Sequence, residues 1–119
     1  MKNLPFRRRL GFALAGVLSA LRSENSFRFH TAAACAVLIA LLVLQPPPVW
    51  WAIMLLTVGA VLAAELFNTA LEHLADHLHP EQHPSIKIVK DCAAAAVLVT
   101  SLIAAGVAVA FVWEFFVAR

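Results

Sequence analysis

The sequence predicts an all-α membrane protein, with three transmembrane helices preceded by an N-terminal amphipathic surface helix, and three observations carry that prediction. Apolar residues make up 62% of the 119-residue chain and charged residues 13%, with a mean hydropathy of +0.85, more apolar surface than a soluble domain of this size needs. Two long stretches, Phe29 to Ala64 and Cys92 to Trp113, contain no Asp, Glu, Lys or Arg. The triplet Pro46-Pro47-Pro48 cuts the first stretch in two, because proline lacks an amide hydrogen and clashes with the preceding turn.

Taken in order, the surface helix occupies about residues 5–24, where Leu10, Ala13, Leu14, Val17, Leu18 and Leu21 follow helical spacing behind the basic run Arg7-Arg8-Arg9. A twin-arginine export signal is the alternative for this segment, but the apolar stretch ends at Arg22 without a small-residue cleavage site. The spans follow at about 27–44, 49–71 and 92–116, each near the roughly 20 apolar residues that a crossing requires. No repeat, low-complexity tract or linker divides the chain, so residues 1–119 read as one domain.

Charge gives the orientation. Lys2, Arg7, Arg8, Arg9, Arg22, Arg28, Lys87 and Lys90 all precede the first span or lie between the second and third. The positive-inside rule therefore places the N-terminus and the Leu74 to Lys90 segment in the cytoplasm, with Arg119 alone on the far side. Trp50, Trp51 and Trp113 stand where an aromatic belt would anchor the far interface. Cys35 and Cys92 fall inside or at the edge of a span and read as small packing residues rather than a disulfide pair.

The second span carries the polar residues that lipid should forbid. Glu65, Asn68, Glu72 and Asp76 stand at offsets 0, 3, 7 and 11, which share one helix face. At about 1.5 Å per residue from Val49, Glu65 lies some 24 Å along the helix and Glu72 about 34 Å, so the stripe runs through the cytoplasmic interface. Lys90 and Asp91 open the third span at that level, and Glu24 with Arg28 closes the surface helix there. A polar helix end snorkelling to headgroups accounts for Asp76 and Glu81 and extends to Glu72, but accounts less well for Glu65 and Asn68, which lie a turn or more inside the span. Carboxylates beside a lysine and arginines suit metal-assisted phosphoryl transfer, since a divalent ion takes oxygen ligands and phosphate takes cations. A proton-coupled transporter also places a Glu on a membrane helix face, and a non-enzymatic membrane subunit is a third possibility.

The stretch Glu65-Leu66-Phe67-Asn68-Thr69-Ala70-Leu71-Glu72, with Asp76 after it and Lys90-Asp91-Cys92-Ala93-Ala94-Ala95-Ala96-Val97-Leu98 later, resembles the prokaryotic diacylglycerol kinase family, and Glu24-Asn25-Ser26-Phe27-Arg28 resembles an upstream E-x-x-F-R segment of that family. The resemblance implies an ATP-dependent lipid kinase in the bacterial inner membrane, acting in phospholipid or envelope-lipid recycling. It also implies a homotrimer with active sites shared between subunits and facing the cytoplasm. Carried over by position, Glu24 and Glu72 resemble the carboxylates that hold the Mg2+ of Mg-ATP, and Glu65 resembles the base that accepts the lipid hydroxyl proton. Asn68 would orient groups at the nucleotide and the lipid, Lys90 would steady the β/γ-phosphates, and Asp91 would support Lys90. The surface helix matches the family poorly, so Arg7, Arg8 and Arg9 remain equal candidates for a phosphate contact. Small residues at Ala60, Ala63, Ala64, Ala93 to Ala96, Ala104, Ala105 and Gly106 would permit close helix approach, within one subunit or between subunits.

The chain lacks G-x-x-x-x-G-K-[ST] and the kinase Gly-rich loop, so any ATP site is of another kind. The loop from His79 to Asp91 is similar to the undecaprenol kinase branch of the family and favours that lipid over diacylglycerol. His73, His77, His79 and His83 cluster near it; the i, i+4 pair His73 and His77 could grip a transition metal, and a wet interfacial loop beside lipid phosphates is the simpler account.

Overall fold

The computed structural model describes residues 2–118, so Arg119 lies outside the described residues. Four α-helices follow one another: α1 (Phe6–Ser23), α2 (Asn25–Leu44), α3 (Pro48–Leu78) and α4 (Pro84–Val112), with a π-helical turn at Trp113–Val117. The last three segments are long and apolar enough to cross a membrane, the third running Pro84–Val117.

Each break has a local cause. Glu24 adopts an extended conformation (φ −115°, ψ 111°) between α1 and α2, and its amide still caps α1 by donating to the Ala20 carbonyl. At the end of α2, Gln45 turns left-handed (φ 47°, ψ 57°), a conformation costly for any residue but glycine or asparagine. The proline at 46 bars the ordinary helical conformation at Gln45, while the Gln45 amide bonds to Leu41 O at 3.0 Å and its side chain to Leu42 O at 2.9 Å. Pro48 then starts α3, and Pro84 starts α4 behind His83, whose Nδ1 accepts from the Ser85 amide at 3.1 Å.

The membrane-forming helices outrun their apolar stretches. α3 has 31 residues and the α4 segment with its π-turn has 34, or about 46 and 51 Å against a hydrocarbon core of roughly 30 Å. The expected span ends at 71 and 92 mark where the apolar composition stops; the helices continue to Leu78 and start already at Pro84. Once a helix is nucleated, added residues gain a backbone hydrogen bond each, so the polar overhangs extend it rather than fray.

α3 is the central element, packed along α4 and against α2, while α1 touches α2 and α3 only lightly. At the end remote from the overhangs, Leu41, Met54 and Phe111 form a buried cluster, joined by Val37, Trp50, Trp51, Val107 and Phe115. Trp50 meets Phe111 edge-on at 5.2 Å, and Phe111 lies 4.6 Å from Phe115. Trp50 and Trp51 thus pack inward at the far end instead of serving purely as a belt, whereas Trp113 is exposed. The interior is thin: 11%, 17% and 6% of the residues in the three apolar windows are buried, so most of the apolar surface faces outward. Cys35 and Cys92 are free thiols on that outer surface, not packed inside as expected. Of the small residues, Ala93 is buried while Ala60, Ala63, Ala94, Ala95, Ala96, Ala105 and Gly106 are exposed.

Candidate active site

The polar face of α3 is graded from interior to solvent. Glu65 is 2% exposed, Asn68 and Glu72 are half-buried, and Asp76 is exposed. A carboxylate inside an apolar bundle is costly unless donors satisfy it, and α2 supplies them. Ser26 Oγ donates to Glu65 Oε1 at 2.5 Å, and His30 Nδ1 lies 2.5 Å from the same oxygen. His30 Nε2 in turn stands 3.4 Å from Ser101 Oγ on α4. Ser26 and His30 are one turn apart on α2, so one face of that helix presents both groups to α3.

One turn outward along α3, Asn68 Oδ1 and Thr69 Oγ1 are buried without a hydrogen-bond partner among the described residues. Buried amide oxygens are normally paired, so Asn68 Oδ1 is an acceptor available to a donor that the chain does not supply. Thr31 Oγ1, next to His30, is in the same condition.

On the overhang, Lys90 Nζ donates to Asp76 Oδ1 at 2.6 Å and ties the start of α4 to the end of α3. Beside it Lys87 Nζ pairs with Asp91 Oδ2 at 2.6 Å within α4. Asp91 was expected to support Lys90. Residues i and i+1 of a helix point about 100° apart, so Asp91 faces one turn back to Lys87, and Asp76 takes its place beside Lys90. Both lysines precede the apolar stretch. The hydrogen bond that Lys90 donates to Asp76, then the charges of Asp76 and Glu72, hold the Lys90 ammonium above its usual 10.5, and Asp91 does the same for Lys87. A raised value means that each ammonium is lost only as pH rises through it, so both groups are cations throughout the neutral range, in surface pairs that water screens.

Glu24, in the break between α1 and α2, and Glu72 make no side-chain hydrogen bond or close ion pair among the described residues, although Lys90 is near enough to feel the Glu72 charge. Arg7, Arg8 and Arg9 are exposed on α1. Among the described residues no three His, Cys, Asp or Glu side chains converge as a ready-made metal cage. His79 and His83 stack edge-on at 5.4 Å across the α3–α4 connection, and His79 Nδ1 bonds to Glu81 O at 2.9 Å. That connection, with Ile86, Lys87 and Lys90, lines a cavity of about 610 Å³ at the exposed end of the site.

The structure therefore brings Glu65, Asn68, Glu72 and Asp76 onto one face and sets Lys90 against it, while Asp91 is turned aside. Sequence reasoning missed His30, Ser26 and Ser101. The available signal was Ser26 and His30 at i and i+4 at the mouth of a span, a spacing that only a facing Glu makes meaningful.

Fold and site together define a small membrane protein with a carboxylate held inside a helical bundle and an ion-paired polar end above it. Residues 11–112 match the prokaryotic diacylglycerol kinase family. The chain is similar to undecaprenol kinase of Bacillus subtilis, 42% identical over 88 residues that cover 74% of this chain and 72% of that protein. It is also similar to diacylglycerol kinase of Synechocystis, 39% identical over 94 residues, 78% of this chain and 54% of that protein. The chain belongs to the prokaryotic diacylglycerol kinase family. It is a lipid kinase, a phosphotransferase that uses ATP and acts in a membrane, and the transporter alternative finds no support.

Proposed function

We propose that this protein transfers the γ-phosphoryl group of Mg-ATP to the hydroxyl of undecaprenol at the cytoplasmic face of a bacterial inner membrane, with Glu65 as general base. The observation that carries this proposal is the near-complete burial of Glu65 with its Oε1 held by two donors and its Oε2 unpartnered among the described residues. A carboxylate with one oxygen fixed and one open is suited to accept a hydroxyl proton.

In that reaction the lipid oxygen forms a bond to the γ-phosphorus as the bond from the γ-phosphorus to the β,γ-bridging oxygen breaks. The hydroxyl proton passes to Glu65, and ADP leaves. Lys90, at the outer end of the same face, neutralises phosphate charge after exchanging Asp76 for it; Asn68 Oδ1 accepts from the nucleotide or the lipid hydroxyl. Asp91 acts through Lys87 at the rim of the cavity. Glu24 and Glu72 fit magnesium, which binds one or two carboxylates plus substrate phosphates and keeps waters, so it needs no cage of three protein ligands. Bound there, the ion would offset charge on the phosphates.

The higher identity of the undecaprenol kinase relative, and the larger share of that relative's own length that is matched, support that lipid over diacylglycerol. The basic residues before α2 and between α3 and α4 support a cytoplasmic site, with α1 lying on the membrane surface through its exposed Leu10, Leu14, Val17 and Leu18. The outward-facing small residues of α3 and α4 support packing against further copies in a homotrimer. Residues 1–119 act as one catalytic domain in this scheme. Transfer of labelled γ-phosphate in lipid vesicles, with undecaprenol and diacylglycerol offered separately, tests it: phosphorylation of diacylglycerol alone would overturn the lipid assignment, and labelling of neither would overturn the activity.

A further inference from the structure

The contacts around Glu65 are asymmetric. Ser26 Oγ and His30 Nδ1 both reach Oε1, and Oε2 has no partner among the described residues. For Glu65 to serve as a base its Oε1 must accept, which puts a hydrogen on Nδ1, and His30 Nε2 stands 3.4 Å from Ser101 Oγ, a hydroxyl able to donate or accept. The imidazole is thereby held at both nitrogens, by α3 on one side and α4 on the other. His30 is four-fifths buried and belongs to neither the nucleotide set nor the metal set.

We infer that His30 is a positioning residue for phosphoryl transfer: bridging α3 and α4, it locks the rotation of the Glu65 carboxylate so that Oε2 is the oxygen presented to the acceptor hydroxyl. The inference rests on Glu65 being the base. Its physical content is angular. With His30 removed, Oε1 is held only by the exposed Ser26 hydroxyl, itself a rotor, and the carboxylate gains freedom about its terminal torsion, a broad and nearly two-fold one. The proton-accepting oxygen then spends part of its time out of line, and misplacements of about 1 Å cost on the order of 100-fold in rate. Ser26, at the edge of the bundle, supplies the second donor but cannot bridge to α4.

The test uses the full chain in vesicles and five variants, one of them double. His30→Leu lowers kcat about 10- to 100-fold and leaves KM for ATP within about twofold, because the nucleotide contacts are elsewhere. His30→Asn, whose amide nitrogen falls near the Nδ1 position, recovers most of the loss, whereas His30→Gln, whose amide reaches toward the Nε2 position, does not. In a Glu65→Gln background, His30→Leu changes the residual turnover less than about twofold, since the group it positions is gone. Wild-type kcat in His30→Leu with an inactive Glu65→Gln overturns the role of His30 and spares the base. An active Glu65→Gln overturns the base and this inference with it. Equal activity of the Asn and Gln variants, or an equal His30→Leu loss in both backgrounds, shows that His30 only supports the fold. Should His30→Leu fail to fold, the contrast between Asn and Gln decides alone.

Discussion

Replacing Glu65 with glutamine separates chemistry from architecture. Glu65 is 2% exposed, and the side chain keeps its volume in the exchange. Its carbonyl oxygen can still accept from Ser26 and His30, so neither donor is stranded. What disappears is a group able to take a proton. General-base contributions run to about 100- to 10,000-fold, which at about 1.36 kcal/mol per decade is roughly 2.7 to 5.4 kcal/mol in the barrier. Initial rates of γ-phosphate transfer in vesicles should fall by that factor, while nucleotide affinity and the thermal unfolding midpoint change little. Glu65→Ala should differ in one respect: it strands the largely buried His30 Nδ1 at a cost of about 1–3 kcal/mol, while the exposed Ser26 hydroxyl turns to water, so stability falls along with turnover. A Glu65→Gln protein with turnover within threefold of wild type would refute the assignment outright. An inactive Glu65→Gln protein that is also unfolded would refute the claim that the amide preserves the network.

Glu72→Gln should shift the Mg2+ concentration for half-maximal rate upward with little change in the lipid KM, and an unchanged Mg2+ titration would remove Glu72 from the metal set. Lys90→Met should raise KM for ATP, whereas Asp76→Asn, which only frees Lys90 from an exposed pair, should leave stability unaltered; a stability loss in Asp76→Asn would mean that the pair holds the overhangs together. Because Lys90 stays charged well past neutrality, its contribution to ATP binding should be flat from about pH 6 to 9, and a KM that climbs across that range only when Lys90 is present would contradict it. Phe111→Ala should lower the unfolding midpoint clearly, while Trp113→Ala, exposed at the same end, should not; equal effects would place the tertiary contacts elsewhere.

Composition and punctuation were enough to determine the architecture. Charge-free stretches and the proline triplet depend only on what lipid and backbone chemistry tolerate, and both act residue by residue. The stripe from Glu65 to Asp76 was legible for the same reason, since a helix converts spacing along the chain directly into a shared face. Three things were decided only by the tertiary structure. The helices run two turns past the apolar limits, because hydrogen bonding and not hydropathy ends a helix. Lys90 meets Asp76, 14 residues away, in preference to its neighbour Asp91, because α3 and α4 return antiparallel and bring their polar ends side by side. The donors that occupy Glu65 come from residues 39 and 35 positions earlier, Ser26 and His30, and no spacing rule reaches across a loop between two helices. A sequence states which groups a membrane would punish, but which partner relieves each of them is fixed by how the helices pack.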